Sequence, residues 1–136
     1  MRKISKIIIH CTATPEKRHH DVKDITRYHK KRGFSTIGYH FLIHLCGKIE
    51  TGRDINRIGA HTSGENRGSI GICYVGGMSK DMKKAKDTRT QAQKDSLIKL
   101  MTELIYKYNQ DMTIHGHYEF ANKACPSFNV SEYAFL

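Results

Sequence analysis

The sequence predicts one α/β domain over residues 1–136, with a central mixed β-sheet flanked by helices. Three observations carry that reading. Two β-branched apolar runs, "KIIIHCTA" and "IGICYVGG", have the length and composition of buried strands. Two other segments combine helical spacing of apolar residues with capping residues. No repeat, low-complexity tract or Pro/Ser-rich linker interrupts the 136 residues, a length that can bury a core without disulfide or metal staples. Strands separated by helices give a sheet covered by those helices.

Taken in order, "KIIIHCTA" forms the first buried strand. Asp21 then caps a helix that carries Val22, Ile25 and Tyr28 at helical spacing, and Gly33 closes it. In "GYHFLIHL", Tyr39, Phe41 and Ile43 alternate with His40, Leu42 and His44, as in a strand; "KIETGRD" is its hairpin partner across a turn at Cys46 and Gly47. A polar loop, "GAHTSGENRGS", leads into the strand "IGICYVGG". Thr90 and Gln93 make a capping box for a second helix, with Leu97, Met101, Leu104, Ile105 and Tyr108 in one apolar stripe. "MTIHGH" is a last short strand.

Composition narrows the function. Apolar runs such as Ile7 to Ile9 fall far short of the ~20 residues that span a bilayer. The amino-terminal "MRKISKIIIH" has too short an apolar run for a secretory signal, so synthesis in the cytoplasm without a signal peptide is expected. Four cysteines would allow two disulfides, a pattern of small secreted chains. Cys46 and Cys73 lie in apolar stretches, where a free cysteine acts as a small hydrophobe. The net charge of +10 favours anionic partners: nucleic acid, a membrane surface or a bacterial wall polymer. The densest basic run, Lys80 to Asp87, also holds acids and no aromatics, and reads as a solvated loop.

Nine histidines require individual readings. His19 and His20 sit in a polar loop and are expected on the surface. His29 lies near a helix end, where a cation suits the dipole. His40 and His44 share one strand face and read as partly buried, hydrogen-bonded residues rather than ligands; in strand geometry His115 points the same way as His117, which makes one of the two a decoy. His10 ends a buried strand, His117 ends the last strand, and Cys125 follows across a loop stiffened by Pro126. Two His and one Cys would make a zinc site with its fourth position open to water, as in catalytic sites. Spacing alone leaves open that the three are unrelated.

Four segments, "IIIHCTAT", "GYHFLI", "GAHTSGENRGSIGICYVGG" and "HYEFANKACPSF", together resemble the zinc-dependent N-acetylmuramoyl-L-alanine amidase family. This type 2 amidase family includes the T7-type phage lysozymes and the peptidoglycan recognition proteins. The motifs stand in the family's order and run from residue 7 to residue 128.

The resemblance implies a peptidoglycan recognition protein-like fold and one Zn²⁺ per chain, held by His10, His117 and Cys125. It implies Tyr39 and Lys123 as catalytic residues, and His61 with Asn66 as substrate-binding residues. A zinc ion so held would bring bound water to a pKa of ~7 and polarise an amide carbonyl. The implied reaction is hydrolysis of the amide between N-acetylmuramic acid and L-alanine in peptidoglycan, as a phage or prophage lysis enzyme acting on the wall as a monomer. A cytoplasmic recycling amidase fits the same residues. The alternatives are a non-catalytic peptidoglycan-binding module and, on charge alone, a nucleic-acid-binding protein. Glu119 reads as a solvated or capping acid.

Overall fold

The strand Lys6–Cys11 (β1) lies inside a five-stranded sheet because its three isoleucines need cover on both faces. The computed structural model describes residues 2–136. After β1, Thr14–Pro15 (β2) leads to helix Val22–Lys31 (α1), then to Phe41–Ile43 (β3), Ile49–Thr51 (β4) and Ser69–Tyr74 (β5). Gly77–Met78 (β6), helix Gln91–Tyr108 (α2) and Thr113–Gly116 (β7) complete the order. The main sheet runs β4-β3-β5-β1-β7; all its pairs are parallel except the β3–β4 hairpin, and β2 and β6 form a separate pair.

Register divides the core between the two faces. Leu42, Cys73 and His10 form one row across β3, β5 and β1. Leu42 and Cys73 pack there with Ile25 of α1, Ile37 and Val75. The next row, Ile43, Tyr74 and Cys11, faces the opposite way with Ile7, Ile9, Ile70 and Ile72, and meets Leu97, Met101 and Leu104 of α2. Both capping boxes have the required hydrogen bonds: Asp21 with Asp24 on α1, and Thr90 with Gln93 on α2. Among the described residues no helix is long and apolar enough to cross a membrane.

Several local expectations are corrected. The strand in "GYHFLIHL" covers only Phe41–Ile43; Leu42 packs with Ile25 of α1 and Ile43 with the α2 stripe, while His40 and His44 are buried and hydrogen-bonded. Tyr28 is exposed; the buried face of α1 consists of Ile25 and His29. His29 is no helix-end cation: its Nδ1 accepts the Gly38 N–H at 2.8 Å, and burial, then the charges of Arg32 and Arg53, lower its pKa to about 4. His20 is only 7% exposed, so it is not a surface residue. Cys46 is exposed rather than buried, because it occupies the hairpin turn beside Gly47, whose φ is +90°. His117 does not end the last strand. It opens a 3₁₀ turn, His117–Glu119, directly after β7. The basic run Lys80 to Asp87 is exposed throughout.

Candidate active site

In an open parallel sheet, side chains at the carboxyl ends of neighbouring strands converge. His10 stands near that end of β1, and His117 directly follows the adjacent strand β7. Their rings lie 4.5 Å apart between centroids. Cys125 arrives from the loop after the 3₁₀ turn. That loop is tied down where the Tyr118 N–H donates to the Cys125 carbonyl and the Tyr74 hydroxyl donates to the Pro126 carbonyl at 2.6 Å. One nitrogen from each histidine and the Cys125 sulfur all lie within 4.8 Å of one another.

The chemistry of this donor set fits zinc. Bonds of about 2.0–2.3 Å at tetrahedral angles place donors about 3.5 Å apart. His10 Nδ1 and Cys125 Sγ are 3.8 Å apart. Burial first, then His61, His117 and Lys123, hold the His10 pKa well below its ordinary value; burial and Lys123 also lower that of His117. Both imidazoles therefore stay neutral near pH 7 and keep a lone pair for an ion. The hydrogen bond with the neighbouring Cys11 thiol, then burial, raise the Cys125 thiol, so a cation is needed to draw off its proton. The Cys11 backbone N–H, 3.2 Å from that sulfur, donates to it and stabilises the thiolate.

Tyr39 precedes β3, with its ring 5.0 Å from His10 and 5.2 Å from His29 between centroids. Burial, then the nearby Cys73, Cys125 and Cys11 thiols, push its phenol well above the ordinary tyrosine range, so it remains an O–H donor. Tyr39, His61, Asn66, His117 and Lys123 line one cleft of about 400 Å³, together with His29, Arg32, Phe34, Thr62 and Phe120. Its cationic side chains, Arg32 and Lys123, face no carboxylate in the lining. A larger cleft of about 890 Å³, with Arg2, Lys3, Arg67 and Tyr108, contains none of the singled-out residues; donor chemistry, not volume, selects the smaller one.

The remaining assignments divide. Asn66 acts on the loop itself: its Oδ1 accepts the N–H groups of His61 at 2.9 Å and Thr62 at 2.8 Å. His61 is 9% exposed, with Nδ1 2.9 Å from His10 Nε2. Glu119 caps the 3₁₀ turn, accepting the Gly116 N–H at 2.8 Å and facing His115 at 2.9 Å. His115 thus bonds to Glu119 and Thr113, outside the three-donor cluster. Sequence reasoning missed Arg32, Phe34 and Thr62. A polar Thr62 directly after His61 and a cation at the helix end before Gly33 were the available signals.

Known proteins resemble this chain over nearly its whole length. The family model Amidase_2, N-acetylmuramoyl-L-alanine amidase, matches residues 1–128. The endolysin of Escherichia phage T7 is 40% identical over 127 residues, 93% of this chain and 83% of that protein. The endolysin of Klebsiella phage KP32 is 38% identical over 130 residues, 95% of this chain and 84% of that one. The solved N-acetylmuramoyl-L-alanine amidase LysC from Clostridium intestinale URNW aligns with a TM-score of 0.82 at 31% identity, over 96% of this chain and 83% of its own. Drosophila PGRP-LB aligns with a TM-score of 0.78 at 27% identity, over 93% of this chain and 76% of its own. With the matched model covering the fold and every donor of the cluster, the chain belongs to the N-acetylmuramoyl-L-alanine amidase family.

Proposed function

We propose that this chain hydrolyses the amide between N-acetylmuramic acid and L-alanine in bacterial peptidoglycan, with one zinc ion held by His10, His117 and Cys125. The observation that carries the reading is the convergence of those three donors within 4.8 Å, beside the cleft that Tyr39 and Lys123 line. When bound, zinc supplies a Lewis acid with one position open to water.

The chain's own residues then have distinct tasks. Lys123 presents an ammonium in the cleft, where it donates to the oxyanion that develops on the scissile carbonyl. Tyr39 donates its phenolic O–H in the same cleft, and its ring packs against His10. Asn66 shapes the loop that forms one wall, through its two backbone hydrogen bonds. Phe34 and Phe120 supply apolar wall surface, and Arg32 a cation for a carboxylate of the stem peptide.

The two phage relatives are named endolysins, which supports a phage or prophage lysis enzyme acting on the cell wall. A peptidoglycan-binding module without catalysis is the second reading, favoured by the name of Peptidoglycan-recognition protein SC2 of Drosophila simulans, 30% identical over 112 residues. The presence of Cys125 together with Lys123 favours the enzyme.

The test is incubation with purified peptidoglycan and mass analysis of the soluble products. Stem peptides with a free L-alanine amino group, released from intact glycan strands, are expected. Released disaccharides would contradict the bond assignment, and binding without release would establish the non-catalytic module.

A further inference from the structure

We propose that His61 is a positioning residue: it accepts a hydrogen bond from His10 Nε2–H and thereby keeps His10 Nδ1 aimed at the ion. This rests on the three-donor zinc reading and adds a residue outside the donor set. His10 Nδ1 is the nitrogen that faces Cys125 Sγ, at 3.8 Å. A neutral imidazole with its lone pair on Nδ1 carries its hydrogen on Nε2. That Nε2 lies 2.9 Å from His61 Nδ1 and 3.2 Å from Thr62 Oγ1. His61 accepts at Nδ1 and so carries its own hydrogen on Nε2, which points to Ser69 Oγ at 3.4 Å.

The arrangement is dry and fixed from several sides. His10 is 1% exposed and Thr62 2%, so water does not compete for the bond. Two glycines leave the space that the His61 ring fills. A Cβ on Gly71 of β5 would stand 2.5 Å from its Cδ2, and one on Gly59 2.6 Å from the same atom. The Asn66 side chain fixes the backbone at His61 and Thr62. The Thr62 hydroxyl, 2.9 Å from His61 Nδ1, closes the three-residue cluster. A ring held this way orients another ring better than it samples a substrate.

Outer partners of ligating histidines commonly govern metal affinity by ~10–100-fold. The experiment measures zinc affinity by chelator competition in the wild type, His61→Phe and His61→Asn, with the visible spectrum of the cobalt-substituted proteins. The expected result is ~10–100-fold weaker zinc binding and an altered cobalt spectrum for His61→Phe, with substantial recovery in His61→Asn, whose side-chain oxygen can accept the same bond. Wild-type affinity and spectrum in His61→Phe would overturn the positioning role alone, whereas a wild type that binds no zinc would overturn the three-donor reading beneath it. Nitrogen-15 histidine spectra of the zinc-loaded wild type give a test independent of whether variants fold. A slowly exchanging Nε2 proton on His10 is expected, and one exchanging as fast as a free imidazole's would overturn the proposal.

Discussion

The Arg89 guanidinium lies 3.4 Å from the centre of the Phe128 ring, three residues beyond Cys125. Its side chain is 2% exposed and pairs with Asp87 and Glu132, each at 2.8 Å, while Nη1 donates to the Tyr133 hydroxyl at 2.6 Å. One cation thus clamps the carboxyl-terminal segment onto the start of α2. The same segment carries the cysteine donor, so stability and metal binding are linked through it.

Arg89→Ala should therefore destabilise the fold by about 2 kcal/mol. Stripping one partner from a fully buried ion pair costs ~3–5 kcal/mol, but Asp87 and Glu132 are partly exposed and regain water. Urea unfolding reads the loss. Arg89→Lys should recover only part of it, because an ammonium cannot reproduce the stacked, forked geometry.

Lys123→Ala should lower peptidoglycan hydrolysis by ~10²–10³ while zinc content stays unchanged, as expected for an oxyanion donor. Tyr39→Phe keeps the ring against His10 and removes only the O–H; a loss in kcat with unchanged zinc content is expected. Steady-state rates and metal analysis on the same samples check both. Full activity in Lys123→Ala would remove it from the reaction.

Arg32→Ala should weaken substrate capture rather than the chemical step. Loss of one charge-assisted hydrogen bond, at ~1.5 kcal/mol, corresponds to roughly a tenfold rise in KM with kcat preserved. Kinetics on soluble muropeptides distinguish this from a fall in kcat, which would place Arg32 at the reacting atoms.

Stability should fall as pH drops below about 6.5. Burial first, with the charges of Arg32 and Arg53 on His29 and of Arg2 and Arg53 on His40, lowers both pKa values to about 4. Between those values and the unfolded one, the unfolded chain binds more protons, so stability rises with pH across the window and levels off above it. The structural reason is visible: His29 Nδ1 accepts the Gly38 N–H and His40 Nδ1 the Gly71 N–H, at 2.8 and 3.0 Å, and protonation removes both acceptors. Thermal melts from pH 7 to pH 4 give the sign; a flat profile would contradict it.

Local features of the fold were legible in the sequence. The Asp21 and Thr90 caps and the β1 and β5 runs depend on near neighbours, and they stand where their patterns place them. The grouping of His10, His117 and Cys125 was legible through the order of four motifs, not through spacing. What eluded sequence reasoning depends on remote partners. The burial of His29 comes with the Gly38 N–H, nine residues on and beyond the end of α1. The bond between His61 and His10 joins segments 51 residues apart. Asn66 reads as a groove residue until its two backbone hydrogen bonds are seen.

Whether two imidazoles and one thiolate share a single zinc is read out by X-ray absorption at the zinc edge of the loaded protein. One zinc per chain is expected, with two nitrogen scatterers at about 2.0–2.1 Å, one sulfur at about 2.3 Å and one light solvent atom. A shell without sulfur, or one unchanged by Cys125→Ala, would contradict the shared site.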